Sequence, residues 1–358
     1  MDSVVFDHFD GHEQVVFAAD PASGLRCIVA IHSTALGPGL GGTRFKAYPT
    51  EEAALVDVLR LSRAMTYKNA CAGLDHGGGK AVIIGDPAVL RSEALLRAYG
   101  RVIASLGGRY ITACDIGTKP ADMSVIRHET RWVTGMDPAD GGSGDSGVLT
   151  AWGVYAGIKA CLQHVSGDRS LAGRHVAVQG VGKVGRRLAE HLAADGARLT
   201  LADVDEPAVR DLAARLNAEV VPVEAVHRVD CDVFSPNALG AVLNDDTIPE
   251  LSCRVVAGGA NNQLAEERHA KLLHERGVLY APDFVINAGG VIQISDELHP
   301  AGHSPERAKT KTETIADRLL EIFAHAEAEG IDTEQAANAV AEKRINAVGR
   351  LRSFWLSE

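Results

Sequence analysis

The chain of 358 residues has a formal net charge of −11, with 46% hydrophobic and 23% charged residues, which predicts a globular protein large enough for two domains. The acidic balance argues against partners such as nucleic acid or an anionic membrane; the N-terminal MDSVVFDHFD does not resemble a signal peptide, and no apolar run is long enough to span a membrane. Six scattered cysteines without a C-x-x-C pair predict reduced thiols in a cytoplasmic protein, with no metal site.

The first part of the chain is expected to mix strands and helices. Strands are predicted for EQVVFAAD and LRCIVAIHST, on either side of the turn PASG. A helix is predicted to begin after the N-cap Thr50, with one apolar face formed by Leu55, Val58, Leu59 and Ser62. The segment SEALLRAYGRVIASLGG predicts a second helix that ends at glycine. The Gly-, Asp- and Ser-rich stretch 135–147 is the predicted hinge.

After the hinge the pattern alternates between strand and helix. HVAVQG reads as a strand, KVGRRLAEHLAADG as an amphipathic helix and RLTLAD as the next strand. Further strands are predicted in CDVFSPNA, CRVVAGGANN and GVLYAPDFVINAGG, followed by a long helix over 304–330 and a last helix. Each strand ends in small or polar residues, as strands do when their carboxyl ends line a ligand crevice.

The loop GVGKVG at 180–185 has the G-x-G-x-x-G spacing of a dinucleotide-binding turn. It follows a predicted strand and opens a predicted helix, and Asp203 ends the next strand. Gly180 would allow the tight turn, Gly182 the approach of a pyrophosphate, and Gly185 the packing of helix on strand. An Asp203 carboxylate accepts hydrogen bonds from a ribose hydroxyl and repels a 2′-phosphate, which favours NAD over NADP. The alternative is a glycine-rich turn in which Asp203 only caps a strand.

Two lysines in MTYKNACAGLDHGGGKAVI lie in small and apolar surroundings. A lysine acts as a base near neutral pH only when its pKa falls well below about 10.4, and a second ammonium or partial burial lowers it. Lys68 and Lys80 would thus lower each other's pKa, and the positive charge of one of them would also hold a substrate carboxylate. The glycines 77–79 would leave bare backbone for a cofactor or substrate to approach, and Asp115 would move the complementary proton. The alternative is that both lysines are ordinary surface residues.

Several motifs resemble the amino-acid dehydrogenase superfamily, in the order GPGLGGTR, MTYKNACAGLDHGGGKAVI, TACDIGT, GGANNQL and YAPDFVINAGGVI. The similarity covers nearly the whole chain and is closest to the leucine and valine dehydrogenase branch. It implies an α/β protein with a substrate and oligomerisation domain over 1–140, joined by a C-terminal helix over 331–358. It also implies a Rossmann-type NAD-binding domain over 141–330, a catalytic cleft between the two domains, and a homo-oligomer of two or more subunits.

The resemblance implies reversible NAD-dependent oxidative deamination, in which an L-amino acid and water give a 2-oxo acid, ammonium and NADH. By position, Lys68 would bind the substrate carboxylate, Lys80 would be the general base, and Asp115 would exchange protons with the amine. The Gly41 and Gly42 backbone and the Asn262 side chain would also contact substrate. The implied cofactor-binding set is Gly180, Val181, Gly182, Lys183, Val184, Gly185, Arg186, Asp203, Val204, Thr150, Ala238, Asn262 and Asn287.

The substrate side chain is expected to be a branched alkyl group. Glutamate dehydrogenases typically carry a lysine where this chain has Leu40, and an acidic substrate would leave its charge unpaired there. Ile294 is larger than the valine common in leucine dehydrogenases, which favours valine or isoleucine as substrate. Phenylalanine stays open as an alternative. Cys114 replaces a glutamate usual in many leucine enzymes. The implied pocket is lined by Leu40, Met65, Ala113, Val291 and Ile294.

A second class of function is a non-catalytic NAD-sensing regulator on the same scaffold. Such a protein would keep Gly180, Gly182 and Asp203 but would have no need of the proton-transfer residues. Lys68, Lys80 and Asp115 are all present, which favours the enzyme.

Overall fold

A computed structural model describes residues 8–349, and the chain divides into two compact units. Among the described residues, the first unit comprises 8–145, Gln293–Pro305 and 341–349; the second comprises Ser146–Ile292 and Glu306–Val340. The observed units differ from the predicted domains at three places. The first boundary lies after Asp145 and not after residue 140, and the last lies after Val340 and not after residue 330. In addition, Gln293–Pro305 belongs to the first unit. Residues 1–7, and residues 350–358 of the predicted last helix, lie outside the described range.

The segment 293–305 belongs to the first unit because it is bonded to the chain around the predicted hinge. Glu297 accepts hydrogen bonds from the backbone N–H groups of Gly135 at 2.9 Å and Ser143 at 2.8 Å. The side-chain amide of Gln293 donates to the Ser143 carbonyl at 2.8 Å. Arg344 likewise ties the last helix to the first unit, through the Leu74 carbonyl at 2.7 Å and the Asp75 carboxylate at 2.8 Å. Sequence reading missed both connections because they join distant segments.

The first unit is a mixed five-stranded sheet with helices. Its strands are β1 Gln14–Asp20, β2 Leu25–Ser33, β3 Gly39–Lys46, β4 Gly77–Ile84 and β5 Tyr110–Cys114. Its helices are α1 Glu51–Cys71, α2 Pro87–Leu90, α3 Glu93–Ser105 and α4 Pro120–Arg127, and a 3-10 turn spans Pro138–Asp140. The strand order is β1-β2-β4-β3-β5, in which β3 runs parallel to β4 and β5.

The first strands and helices agree with the prediction. The Thr50 hydroxyl caps α1 by accepting from the Ala53 N–H at 3.0 Å, and the predicted apolar face is buried. Helix α1 extends past the predicted segment to Cys71 and so carries Lys68 in its last turn. Strands β3 and β4 were not predicted, since their glycines conceal the usual strand pattern.

The interpretation of glycines 77–79 as bare backbone for a ligand is wrong. They begin β4 and are buried. A Cβ atom on Gly78 would lie 2.0 Å from Thr66 Oγ1 in α1, and one on Gly79 would lie 2.5 Å from the Tyr110 ring. A Cβ on Gly77 would lie 1.9 Å from the Ser33 carbonyl oxygen. The three glycines therefore let the protein's own elements approach β4 closely.

The second unit contains a parallel six-stranded sheet. Its strands are β6 His175–Gln179, β7 Arg198–Ala202, β8 Glu219–Val220, β9 Val233–Pro236, β10 Val255–Val256 and β11 Leu279–Tyr280. The helices are α5 Gly147–Ser166, α6 Lys183–Ala194, α7 Glu206–Leu216, α8 Arg268–Glu275, α9 Asp283–Ile286, α10 Gly289–Asp296, α11 Pro305–Glu329 and α12 Thr333–Gly349. Two 3-10 turns span Val226–Arg228 and Ile248–Glu250. Helices α10, α11 and α12 each contain residues of both units, although α11 has only Pro305 in the first.

The order β8-β7-β6-β9-β10-β11 reads 3-2-1-4-5-6 in chain order, which is typical of dinucleotide-binding domains. The order reverses between β6 and β9, so a crevice is expected at their carboxyl ends. The GVGKVG loop directly follows β6, as predicted. Within 8–349, no helix has both the length and the apolar character to cross a membrane.

Candidate active site

Lys80 and Asp115 form an ion pair in the first unit. Lys80 lies in β4 and is 7% exposed, and its Nζ is 2.5 Å from Asp115 Oδ2. Asp115 directly follows β5, so the parallel strand β3 separates the two residues in the sheet. The predicted base and the predicted proton carrier are thus in contact.

Both oxygens of the Asp115 carboxylate are held by donors. Oδ2 also accepts from Arg44 Nε at 3.1 Å, and Oδ1 accepts from the Ile116 N–H at 2.8 Å. Burial by itself raises the pKa of the Asp115 carboxyl, but the charges of Lys80 and Arg44 outweigh it and lower that pKa to about 2. The Asp115 carboxyl is therefore ionised at neutral pH, and the positive groups beside it hold it in that form.

The backbone of Gly41 and Gly42 lies beside this pair. A Cβ on Gly42 would lie 2.8 Å from the Asp115 Cβ, and one on Gly41 would lie 1.9 Å from the Gly79 carbonyl oxygen. The Gly41 carbonyl accepts a hydrogen bond from the buried Tyr110 hydroxyl at 2.7 Å. Glycine is required at both positions because side chains would collide with β4 and with the end of β5.

Three of the predicted pocket residues lie near these glycines. Leu40 is fully buried in β3, and Ala113 in β5 pairs with Gly42. Met65 of α1 comes close to Gly41, since its Cγ would be 3.2 Å from a Cβ there. Val291 is buried in the second unit, and Ile294 is half-buried in the first.

Lys68 lies in the last turn of α1 and is half-buried. The next residue, Asn69, is fully buried, and its amide nitrogen donates to the carbonyls of Leu40 at 3.2 Å and Gly77 at 2.7 Å. Asn69 thereby fixes the end of α1, and with it the Lys68 backbone, against β3 and β4.

In the second unit the dinucleotide loop has the geometry its sequence predicts. Gly180 has φ +91°, in the region that favours glycine, and a Cβ there would lie 2.8 Å from the Ala238 Cβ. A Cβ on Gly185 would lie 1.9 Å from the Gly180 carbonyl oxygen, whereas nothing lies within 4 Å of one on Gly182. Gly182 is the N-cap of α6, so the helix N-terminus is open to an anion there. Lys183, Val184 and Arg186 begin that helix.

Asp203 follows β7 at the same edge of the sheet. Its Oδ2 accepts from the Val181 N–H at 2.6 Å, and its Oδ1 accepts from the Asp205 N–H at 2.9 Å. The carboxylate therefore braces the loop and retains further acceptor capacity for a hydroxyl group. Val204 beside it is 88% exposed.

The other predicted cofactor residues lie in the second unit as well. Thr150 lies in the first turn of α5, and its hydroxyl donates to the Ser146 carbonyl at 2.9 Å. Asn287 is buried, and its amide nitrogen donates to Asn261 Oδ1 at 2.8 Å. Asn262 is exposed and has φ +52°, a left-handed conformation that asparagine tolerates.

Sequence reading missed Arg44, Tyr110 and Asn69, although all three lie within or next to the quoted motifs. A recognised β3 would have placed Leu40, Gly42 and Arg44 on one face by its two-residue period. The Cys114 thiol donates to the Gly135 carbonyl at 3.4 Å. Burial raises the pKa of this thiol to about 12, so the group is uncharged at neutral pH.

Comparison with known proteins places the chain in a family. Residues 12–132 match the family model "Glu/Leu/Phe/Val dehydrogenase, dimerisation domain", and residues 141–205 and 199–352 match "Glutamate/Leucine/Phenylalanine/Valine dehydrogenase". Valine dehydrogenase of Streptomyces coelicolor is 56% identical over 94% of this chain and 92% of its own. Leucine dehydrogenase of Thermoactinomyces intermedius is 50% identical over 99% of this chain and 97% of its own. The crystal structure of L-tryptophan dehydrogenase from Nostoc punctiforme has a TM-score of 0.85 at 43% identity, over 97% of this chain and 98% of that one.

The chain belongs to the Glu/Leu/Phe/Val dehydrogenase family. It is an NAD-dependent amino-acid dehydrogenase, which confirms the predicted class, fold and cofactor. The match to a dimerisation domain supports an oligomeric protein. The substrates of an amino-acid dehydrogenase are small molecules.

Proposed function

We propose that the enzyme catalyses reversible oxidative deamination of branched-chain L-amino acids. An L-amino acid, water and NAD⁺ give the 2-oxo acid, ammonium, NADH and a proton. Support for the substrate class comes from the valine and leucine dehydrogenases, which are 56% and 50% identical to this chain. The buried Lys80–Asp115 pair is the observation that favours turnover over NAD sensing alone.

The proposed chemistry assigns separate tasks to the charged groups. The Lys68 ammonium binds the substrate carboxylate, assisted by the Gly41 and Gly42 backbone and by Asn262. Neutral Lys80 removes a proton from the water that attacks the imine carbon, and Asp115 passes protons to and from the substrate nitrogen. The contact between Lys80 and Asp115 supports this division, because a proton can move between them without rearrangement.

The residues at the carboxyl edge of the second sheet fit NAD. The open N-terminus of α6 at Gly182 suits the pyrophosphate, and Asp203 suits a ribose hydroxyl. Thr150, Ala238 and Asn287 complete the proposed cofactor site. Bound NAD⁺ supplies the acceptor for the hydride that leaves the substrate α-carbon.

Steady-state assays with NAD⁺ test the proposal. Purified enzyme is given valine, leucine, isoleucine, phenylalanine, tryptophan or glutamate at alkaline pH, and NADH is followed by its absorbance. The highest kcat/KM is expected for a branched-chain substrate and the lowest for glutamate, whose side-chain carboxylate would meet the buried, apolar Leu40. Highest activity with an aromatic amino acid would support the phenylalanine alternative, and NAD binding without turnover of any substrate would support a regulator.

The assembly and location of the enzyme are proposed from the same observations. The matched dimerisation domain favours a homo-oligomer of two or more subunits assembled through the first unit. All six cysteines are free thiols, which suits the reducing cytoplasm. Sedimentation velocity would measure the number of subunits directly.

A further inference from the structure

Arg44 links the Lys80–Asp115 pair to a second carboxylate. Its Nε donates to Asp115 Oδ2 at 3.1 Å, and its Nη1 donates to both oxygens of Asp57 in α1 at 3.0 Å. The Tyr48 hydroxyl also donates to Asp57, at 2.7 Å. The side chains of Arg44 and Asp57 are only 12% and 13% exposed, so the chain of contacts is largely shielded from water.

Arg44 and Lys80 share one oxygen of Asp115. The Lys80 Nζ is 2.5 Å and the Arg44 Nε 3.1 Å from the same Oδ2. A guanidinium stays charged at every pH at which the enzyme is stable, whereas a lysine can lose its proton. The fixed charge of Arg44 therefore competes with the Lys80 ammonium for Asp115 and repels that ammonium directly.

We propose that Arg44 is a positioning residue: it holds Asp115 against Lys80 and, by sharing the carboxylate, makes the neutral form of Lys80 easier to reach. The proposal rests on the proposed roles of Lys80 and Asp115 in deamination. Asp57, braced by Tyr48, holds Arg44 in place and partly neutralises it. An arginine whose task was only to join β3 to α1 would need the contact with Asp57 but not the contact with Asp115.

The other charged and titratable groups around this pair come from three places. Helix α1, which packs on β3 and β4, carries Asp57, Arg60 and Lys68. Tyr48 precedes α1, and burial raises its pKa above the working range. Tyr110 and Cys114 in β5 have pKa values that burial likewise raises, so both stay uncharged. Arg44 thus carries a fixed positive charge, whereas its neighbours Lys80 and Asp115 exchange protons in the proposed reaction.

The test compares the pH dependence of kcat/KM for valine in the wild-type enzyme, Arg44→Gln and Arg44→Lys. Wild-type turnover is established first, so that absence of activity counts against the proposed function and not against Arg44. Arg44→Gln removes the repelling charge, so the limb of the kcat/KM profile that rises with pH should move to higher pH by about one unit. The value of kcat/KM should also fall by about 10²-fold, because Asp115 is no longer held in position. Arg44→Lys should restore the limb to within a few tenths of a pH unit, although its single ammonium recovers only part of the rate.

Asp57→Asn provides an independent test if Arg44→Gln does not fold. It leaves Arg44 un-neutralised, so the limb should move in the opposite direction, to lower pH. Arg97→Gln is the matched control, since Arg97 joins Glu93 at 2.8 Å and Glu129 at 2.9 Å in the same unit and has no contact with Lys80 or Asp115. A limb that stays at the wild-type pH in Arg44→Gln and in Asp57→Asn would overturn the proposal and leave Arg44 a purely structural role.

Discussion

Gly78 in β4 faces Thr66 in α1 so closely that a Cβ atom on Gly78 would lie 2.0 Å from the Thr66 hydroxyl oxygen. The same position would lie 2.4 Å from the Ser62 carbonyl oxygen. Two residues farther along β4 is Lys80, and two residues farther along α1 is Lys68. The glycine therefore brings together the helix and the strand that carry the two lysines of the proposed site.

Gly78→Ala is expected to destabilise the protein by about 3 kcal/mol or more, because the backbone of α1 and β4 must separate to make room. Gly182→Ala is the matched control: a Cβ there meets nothing within 4 Å, so stability should be unchanged while NAD binding weakens. Calorimetric melting temperatures and NAD titrations measure the two effects. Equal melting temperatures in the two variants would show that β4 and α1 do not need this glycine.

Lys80→Met should lower kcat for valine by about 10³-fold or more, since the variant keeps the side-chain volume but lacks the base. NAD affinity, measured by fluorescence, should stay at the wild-type value because the cofactor residues lie in the second unit. Lys159→Met is the control, since Lys159 forms a similar pair with Asp195 at 2.9 Å outside the proposed site. Substantial turnover by Lys80→Met would remove Lys80 from its role as base.

The pKa of Asp115 also predicts how stability varies with acidity. That pKa is lowered from 3.8 to about 2 by the positive charges of Lys80 and Arg44, against the opposing effect of burial. The ionised carboxylate therefore contributes about 2 kcal/mol above pH 4, and this contribution is lost as the pH falls toward 2. Asp115→Asn should show a smaller loss of stability than wild type over that interval. Urea unfolding at a series of pH values measures the difference, and parallel curves would contradict the assignment.

Asp203→Ser is expected to shift the cofactor preference from NAD toward NADP. The substitution removes the negative charge that would repel a 2′-phosphate, and the ratio of kcat/KM values should change by about tenfold or more. Affinity for NAD should fall too, because the Asp203 carboxylate also accepts from the Val181 N–H at 2.6 Å. Kinetics with both cofactors measure the ratio; an unchanged ratio would leave Asp203 as a brace for the loop alone.

Ile294→Val tests the proposed side-chain pocket. Loss of one methylene should favour leucine over valine by up to about tenfold in relative kcat/KM. A conservative control is Ile315→Val in α11, which is buried in the second unit beside Gly153. Equal substrate ratios in wild type and Ile294→Val would place Ile294 outside the pocket.

Sequence reasoning was most successful where the determinants are local. The Thr50 cap, the period of α1 and the GVGKVG turn each depend on residues within a few positions. That turn predicted the tight bend at Gly180, where the structure has φ +91°, and the approach of a pyrophosphate at Gly182, the N-cap of α6. The strand after it predicted the place of Asp203. The sequence alone thereby determined the dinucleotide-binding motif of the second domain and its cofactor, although not the bounds of that domain.

The tertiary structure decided how the first unit is put together. Arg44 and Asp115, which are hydrogen-bonded, are 71 positions apart in the sequence. The Tyr110 hydroxyl donates to the Gly41 carbonyl, and these two residues are 69 positions apart. These contacts depend on the strand order β4-β3-β5 and on its register, which no local pattern encodes. The glycines 77–79 were misread for the same reason: a bare backbone in a sequence does not reveal whether a ligand or another part of the chain will lie against it. Only the packing of α1 on the sheet settles that.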